Sequence, residues 1–194
     1  MTEFPVPRSY FETDPVTCAR ALLGSVLTGY EASGIIVETE AYSTRNDPAC
    51  HTAFLNQSRK FVEENEAGAI YVHLTYGIHR LFNILTKAAD GEHGFVLIRS
   101  LEPTEGISLM RKRRRRETVR HLCSGPGKLT EALGIGSRDH GLTIGTRETP
   151  VAIGCSQDRL HRPEILVGTR IGITKAADLP WRFGLESPFL SRKF

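Results

Sequence analysis

The hydrophobic pattern of the chain is mainly that of short β-strands. Apolar segments rich in β-branched residues recur between glycine, proline or polar turns, which is typical of strands. The predicted strands cover residues 25–30, 35–42, 69–85, 95–101, 142–145, 151–154 and 165–174. The first two form a hairpin around the turn at 31–34. Gly77 divides 69–85 into strand, tight turn and strand, because glycine tolerates the positive φ that such a turn can demand.

A first helix is predicted near the N-terminus. Asp14 suits the N-cap and Pro15 the first helical position, so the helix should cover 15–23 and end at Gly24. Its buried side chains should be Ala19, Leu22 and Leu23.

Two further helices and one long loop complete the predicted elements. Thr104 is expected to cap a helix over 105–116, and the Gly/Pro segment 122–128 to open a short helix that ends at Leu133. Residues 43–68 are polar and irregular, which predicts a loop, with its glutamates facing solvent. A loop of that length in a compact domain is usually functional or mobile.

Composition indicates one ordinary globular domain over residues 1–194. The apolar fraction of 40% and the charged fraction of 24% are near average, which favours a real core over disorder. No apolar run approaches the roughly 18 residues that span a bilayer, and the N-terminus lacks the pattern of a signal peptide. We therefore expect an intracellular protein. The four scattered cysteines predict reduced thiols rather than disulfides or a zinc site.

Candidate chemistry first appears on the strand that ends in Glu38-Thr39-Glu40-Ala41-Tyr42. Side chains alternate along a strand, so both acids and the tyrosine share one face. A carboxylate beside an aromatic ring suits a site that needs a base and a stacking surface; a solvent-facing pair of acids is the alternative. Arg99 lies among apolar residues of another strand, where a buried guanidinium needs an anionic partner.

The net charge is only +3, but basic residues are concentrated at 111–116, followed by Arg120, His121 and Lys128. Such a block indicates either a nucleic-acid contact or a solvated basic surface. The helix start at 124–128 could add backbone amides that bind an anion, although many Gly-Pro loops bind nothing.

The chain resembles the alkyladenine DNA glycosylase family, also called the 3-methyladenine or methylpurine DNA glycosylases. The matching segments, in the order of that family, are ARALLG (19–24), IVETEAY (36–42), the following His51, YVHLTYGIHRLFN (71–83), VLIRSLEP (96–103), CSGPGKL (123–129), TRIGIT (169–174) and WRFGLESPFLS (181–191). They span nearly the whole chain. The resemblance implies an α+β fold: a single mixed domain with a curved antiparallel β-sheet, a protruding β-hairpin and surrounding helices.

The same resemblance implies roles for individual residues. Glu40 would activate water, Arg99 would hold that water and a nearby phosphate, and the carbonyl of Ile171 would be another water ligand. The base pocket would be formed by Tyr42, His51, His73 and Asn83, the last of which would exclude normal guanine. Tyr76 would fill the gap left by a flipped nucleotide. Contacts to the DNA backbone are expected from Gly77, Ile78, His79, Ser124, Gly125, Lys128, Arg113 and Arg114.

The implied activity is removal of alkylated or deaminated purines from duplex DNA by hydrolysis of the N-glycosidic bond. No lysine occupies the matched catalytic positions, which favours a monofunctional glycosylase, and the motifs imply neither a metal nor an organic cofactor. A monomer acting in the bacterial cytoplasm is expected, or in the nucleus if the source is eukaryotic. The alternatives are a catalytically silent nucleic-acid-binding domain and a small-molecule hydrolase that uses Glu40 and His51.

One position departs from the family pattern. His73 stands where the family usually has tyrosine, and a histidine can become protonated near pH 6.5. Because a protonated ring would repel a cationic base, we expect activity on 3-methyladenine or 7-methylguanine to fall at mildly acid pH. Release of a neutral base such as hypoxanthine should fall less.

Overall fold

The computed structural model describes residues 4–75, 77–155 and 164–194. Within these ranges the chain forms one antiparallel sheet of nine strands and four α-helices. The strands are β1 (Phe4–Pro5), β2 (Val26–Gly29), β3 (Ala32–Ser43), β4 (Ile70–Thr75), β5 (His79–Lys87), β6 (His93–Glu105), β7 (Ala152–Cys155), β8 (Leu166–Gly168) and β9 (Arg182–Gly184). The helices are α1 (Pro15–Ala21), α2 (Asn56–Glu64), α3 (Ile107–Arg114) and α4 (Pro126–Leu133). The predicted α+β class with an antiparallel sheet is confirmed.

The acidic strand β3 lies in the interior of the sheet. The strand order is β1-β7-β2-β3-β6-β5-β4, and β9 pairs with β3 beside Glu38, Thr39 and Glu40. Register shifts between β3 and β6 on both sides of Glu38 interrupt the regular ladder there. Both acids have no exposed surface, so the alternative of a solvent-facing acidic pair is wrong.

Helix α1 starts as the sequence predicts and packs on β3. The Asp14 carboxylate accepts a hydrogen bond from the Thr17 amide over 2.9 Å, which is the N-cap interaction. Thr39 on β3 donates its hydroxyl to the carbonyl of Ala19 over 2.8 Å. The residues predicted to be buried, Ala19, Leu22 and Leu23, belong to the main core.

Two predictions about helices are wrong. The segment 43–68 contains α2, and its Phe61 and Val62 are buried, because apolar positions in this polar stretch fall on one helical face. Its glutamates Glu63, Glu64 and Glu66 are exposed as predicted. Thr104 does not cap α3; it remains within β6, and the helix follows Gly106, whose φ of 69° is left-handed.

Two predicted strands are shorter than expected. Residues 142–145 form only an isolated bridge, from Thr143 to Ala69, and of 165–174 only Leu166–Gly168 is a strand. Residues 169–174 after β8 form a loop instead, and this loop approaches β3, where the Ile171 amide contacts Glu40. The structure contains no helix within its described ranges that is long and apolar enough to cross a membrane.

The strand–turn–strand prediction for 69–85 is confirmed by β4 and β5, which pair from Ile70 to Thr75. Gly77 has a φ of 71°, so the turn uses the conformation that glycine permits. Tyr76, the predicted DNA-intercalating residue, lies outside the described residues. Its neighbours in this hairpin present apolar side chains to solvent: Leu74 is 51% exposed and Ile78 is 71% exposed.

Candidate active site

A pocket of about 490 Å³ opens where β3, β4, β5 and β6 meet the loop after β8 and the start of α4. Its lining includes six residues that the sequence predicts for catalysis or the base pocket: Tyr42, His51, His73, Asn83, Arg99 and Ile171. A volume of several hundred cubic ångströms is that of a small-molecule site and can hold a purine. The structure therefore brings all four predicted base-pocket residues to one cavity.

Glu40 lies directly behind this lining with no exposed surface. Its Oε1 accepts a hydrogen bond from the Ile171 amide over 2.7 Å. Its Oε2 accepts one from the Tyr42 hydroxyl over 2.9 Å and lies 3.1 Å from a terminal guanidinium nitrogen of Arg99. A carboxylate has about four acceptor positions. Two are used by the hydrogen bonds from Ile171 and Tyr42, which leaves acceptor capacity for a further donor.

The predicted anionic partner of Arg99 consists of two carboxylates. Arg99 is only 6% exposed and contacts both Glu40 and Glu38, with its Nε donating to Glu38 over 3.0 Å. Burial opposes the charged form, but the nearby carboxylates of Glu40 and then Glu38 outweigh it and raise the pKa of Arg99. Arg99 is therefore a permanent cation between two buried acids.

The backbone interaction at Ile171 differs in kind from the expectation. The sequence-based prediction concerned its carbonyl, whereas the observed contact is its N–H, which donates to Glu40. This amide orients the carboxylate from the side of the loop after β8. Ile171 also lines the pocket, so its carbonyl remains a candidate water ligand.

The ring of Tyr42 is fixed from behind by a buried ion pair that the sequence did not single out. The guanidinium carbon of Arg170 lies 4.6 Å from the centroid of the Tyr42 ring and 5.2 Å from that of Trp181. Arg170 makes two hydrogen bonds to the Asp47 carboxylate, at 2.6 and 2.8 Å, and both side chains are fully buried. Burial, and then the Glu40 charge, hold the pKa of Tyr42 well above its usual value, so Tyr42 remains a hydrogen-bond donor.

Two histidines form another part of the pocket wall. The ring centroids of His51 and His73 are 4.0 Å apart, and Tyr71 lies 5.9 Å from His51. Burial, and then the neighbouring His73, lower the pKa of His51 to about 4, and burial also lowers the pKa of His73. Both rings are therefore neutral at physiological pH, and a neutral ring can stack on a cationic base without charge repulsion.

Asn83 is held by the hairpin backbone. Its side-chain amide donates to the carbonyls of Tyr71 and Leu81, each over 3.2 Å. These two hydrogen bonds fix the NH₂ group of Asn83 and so also fix the direction of its amide oxygen. A side chain fixed in a pocket can distinguish purines that carry different groups on the edge that faces it.

The residues expected to contact a DNA backbone separate into two groups. His79, Gly125, Lys128 and Arg114 line the pocket, whereas Gly77, Ile78, Ser124 and Arg113 are not among its lining residues. Lys128 lies 3.5 Å from the Ser124 hydroxyl at the start of α4.

Within the basic run, Arg113 and Arg114 point to different partners. Arg113 donates to the carbonyls of Ala132 and Tyr30, over 3.0 and 2.7 Å, so its guanidinium ties α3 to the rest of the fold. Arg114 pairs with Glu131 and reaches the pocket. These contacts favour Arg114, and not Arg113, as a ligand for phosphate.

The cysteines of the chain are free thiols. Cys18, Cys50 and Cys123 are buried, and burial raises the pKa of Cys18 and of Cys123 to about 12. They are therefore protonated core residues. No cluster of three or more potential metal ligands occurs among the residues that the structure describes.

Comparison with known proteins gives the family. The model for methylpurine-DNA glycosylase matches residues 9–188, which is most of the chain. The chain belongs to the methylpurine-DNA glycosylase family. A curated relative from Rhodopseudomonas palustris strain CGA009 is 47% identical over 96% of this chain and 88% of its own length, and one from Bradyrhizobium diazoefficiens is 42% identical over 98% and 92%. Both are named "Putative 3-methyladenine DNA glycosylase".

Membership of the methylpurine-DNA glycosylase family makes the chain a hydrolase of base excision repair that acts on DNA with damaged purines. The fold places β3, the strands β4 and β5 and the start of α4 around one cavity. Sequence reasoning missed Asp47, Arg170, Arg182 and Ser191. Arg170 and Arg182 lie within segments quoted for the resemblance, and a buried arginine in an apolar segment was the signal that could have revealed them.

Proposed function

We propose that this glycosylase turns an alkylated or deaminated purine nucleotide out of the duplex into the pocket and hydrolyses its N-glycosidic bond with water activated by Glu40. The substrate class is 3-methyladenine, 7-methylguanine, hypoxanthine and ethenoadenine. The observation that carries the proposal is the position of Glu40, a fully buried carboxylate directly behind the pocket lining that contacts three lining residues, Tyr42, Arg99 and Ile171. The product is an abasic site.

The contacts of Glu40 suit general-base chemistry. The contacts with Tyr42, Ile171 and Arg99 fix the orientation of the carboxylate, and an acceptor position that they leave unused can take a proton from water. Bond cleavage places positive charge on the sugar, as in glycoside hydrolysis generally, and a buried carboxylate stabilises that charge strongly. Glu40 thus supplies both an electrostatic and a proton-accepting function, and Arg99 keeps it in place.

The pocket wall suits an alkylated purine. Tyr42 offers one aromatic face, and His51 with His73 offers others; base–aromatic stacking contributes about 1–3 kcal/mol per base. The lowered pKa values of both histidines keep these rings uncharged, which is compatible with the positive charge of 3-methyladenine. The Asn83 side chain is fixed in the pocket wall, and we propose that it excludes normal guanine by steric collision with the 2-amino group.

The hairpin and α4 suit entry into a duplex. Leu74 and Ile78 form an exposed apolar tip on either side of position 76, and apolar wedges at base steps are a common device of minor-groove proteins. We propose that Tyr76 fills the place of the extruded nucleotide. Lys128, Gly125, Ser124 and His79 then approach the phosphates, with Gly77 and Ile78 at the turn.

We propose water, rather than lysine, as the nucleophile. Among the described residues, Lys128 is the lysine that lines the pocket, and it is held at Ser124 where α4 begins. Borohydride added during the reaction should therefore leave no covalent enzyme–DNA adduct. We also propose that the enzyme acts as a monomer and without a metal.

The test is base release from a duplex that contains one hypoxanthine or one ethenoadenine. The free base should appear in solution, and the strand should break only after alkali treatment, which cleaves at abasic sites. Tight binding of the lesion duplex without base release would contradict the proposal and favour the alternative of a catalytically silent DNA-binding domain. Strand cleavage without alkali would contradict the monofunctional reaction.

A further inference from the structure

Glu38 is the second buried acid of β3, and the reaction proposed above gives it no part. It has no exposed surface and does not line the pocket. Arg99 Nε and Arg182 Nε donate to its Oε1 over 3.0 and 2.8 Å. An isolated buried carboxylate is strongly disfavoured, so two guanidinium groups and further donors are what keep this one inside the protein.

The further donors come from the C-terminal segment 187–194. The Ser191 amide donates to Oε2 of Glu38 over 2.7 Å, and the Ser191 hydroxyl donates to Oε1 over 2.8 Å. This places a serine from 153 positions away against the acidic strand. The match to the family model ends at residue 188, before this contact.

The C-terminal segment is anchored on both sides of Ser191. Arg182 donates to the carbonyl of Arg192 over 2.7 Å, and its guanidinium carbon lies 3.9 Å from the centroid of the Phe194 ring. The ring is seated over Gly184, where a Cβ atom would lie 2.5 Å from it. Arg120 donates to the carbonyl of Pro188 over 2.8 Å. The segment is therefore fixed from its beginning to its end.

The three nitrogens of the Arg99 guanidinium face three different partners. Its Nε contacts Glu38, one terminal nitrogen contacts Glu40, and the other lies 3.3 Å from the Ser191 hydroxyl. Because the guanidinium is planar, Glu38 and Ser191 fix the plane in which Arg99 approaches Glu40. We propose that Glu38 and Ser191 are positioning residues that hold Arg99 against Glu40, an inference that rests on the proposed function of Glu40.

The first test compares two serines of the same segment. Ser191→Ala removes the hydroxyl that contacts Glu38 and Arg99, whereas Ser187→Ala removes one that accepts only a local hydrogen bond from Phe189. Single-turnover base release should be roughly tenfold slower in Ser191→Ala, the size expected for one lost hydrogen bond to a charged group. Ser187→Ala should match the parent, Ser191→Thr should restore the rate, and affinity for the lesion duplex should be the same in all four proteins.

The second test uses Glu38→Gln, which keeps the size of the side chain but removes the negative charge that contacts Arg99. Its single-turnover rate of base release should be lower while its affinity for the lesion duplex is unchanged. A loss of affinity as large as the loss of rate would indicate general disruption of the site and would contradict the positioning role. If Glu38→Gln does not fold, the Ser191 comparison decides alone.

The inference and the proposed function can fail separately. If Glu40→Gln releases no base and Ser191→Ala behaves as Ser187→Ala, the function of Glu40 stands and the positioning role is wrong. If Glu40→Gln releases base at the parental rate, both are wrong. Base release by folded Glu38→Gln at the parental rate would also contradict the positioning role.

Discussion

Tyr42 donates its phenolic hydrogen to Oε2 of Glu40 over 2.9 Å, from two positions further along the same strand. Alternation along β3 puts both side chains on one face, and the pocket lies in front of that face. Behind the ring stands Arg170, 4.6 Å from its centroid. One residue thus offers a stacking surface to a purine and a hydrogen bond to the carboxylate that is proposed to activate water.

Tyr42→Phe separates these two functions of Tyr42. The ring remains, but Glu40 loses one of its two hydrogen-bond donors, so single-turnover base release should slow by about tenfold, as expected for a lost hydrogen bond to a charged group. A rate of base release equal to that of the parent would show that this hydrogen bond plays no part.

Asp47→Asn breaks the buried ion pair behind the pocket. Arg170 would keep its charge without a compensating carboxylate, and such a change destabilises by about 3–5 kcal/mol. The free energy of unfolding, from urea titration, should fall by that order. Affinity for the lesion duplex should also fall, because Arg170 supports the ring of Tyr42.

Glu64→Gln is the control for that change. It breaks the exposed Lys60–Glu64 pair, whose nitrogen and oxygen are 3.5 Å apart, and exposed pairs contribute about 0–1 kcal/mol. Its unfolding curve should stay within about 1 kcal/mol of the parent. If Asp47→Asn and Glu64→Gln lower the free energy of unfolding equally, the buried pair contributes no more to stability than an exposed pair.

The structure alters the expected pH dependence of substrate choice. Burial, and then the neighbouring His73, lower the pKa of His51 from 6.5 to about 4, and burial lowers the pKa of His73 below 6.5, so neither ring is protonated as readily as a free histidine. The ratio of 7-methylguanine to hypoxanthine release should be flat at mildly acid pH and fall only in more acid solution. In His73→Tyr that fall should be smaller. A ratio that already falls near pH 6.5 would contradict the effect of burial.

Arg113 and Arg114 are neighbours whose variants should differ. Arg114→Gln should weaken DNA binding and reduce the salt slope by about one, the effect of one lost phosphate contact. Arg113→Gln should leave that slope unchanged and lower the free energy of unfolding, because Arg113 donates to backbone carbonyls of Ala132 and Tyr30. Binding isotherms at several salt concentrations measure the salt slope of each variant. A reduced slope in Arg113→Gln with an unchanged slope in Arg114→Gln would assign the phosphate contact to Arg113.

Several site residues could be predicted from short sequence patterns. Glu40 and Tyr42 follow an apolar strand with period-2 alternation, and Gly77 marks the turn of the hairpin. Arg99 required an acidic partner by burial alone, and the structure supplies Glu38 and Glu40. Side-chain alternation places Glu40 and Tyr42 on one face, the permitted φ places Gly77 in a turn, and the cost of burying a charge predicts a partner for Arg99. Each of these predictions needs only the residue and its immediate sequence neighbours.

The remainder depends on contacts between distant parts of the chain. The Arg170–Asp47 pair joins residues 123 positions apart, and Ser191 meets Glu38 across 153. No local pattern encodes such a meeting. Thr104 was misassigned for a related reason: pairing with β3 keeps it in β6, where its hydroxyl lies 2.9 Å from that of Ser33. Tertiary pairing thus overrode a good local capping signal.

Single-turnover release of hypoxanthine by Glu40→Gln tests the account most directly. Glutamine preserves the size of Glu40 but cannot accept the proton of water, so release should be abolished while affinity for the lesion duplex is retained. Glu63→Gln, at an exposed glutamate of α2, is the control and should release base as the parent does. Release of hypoxanthine by Glu40→Gln at the parental rate would contradict the claim that Glu40 activates water.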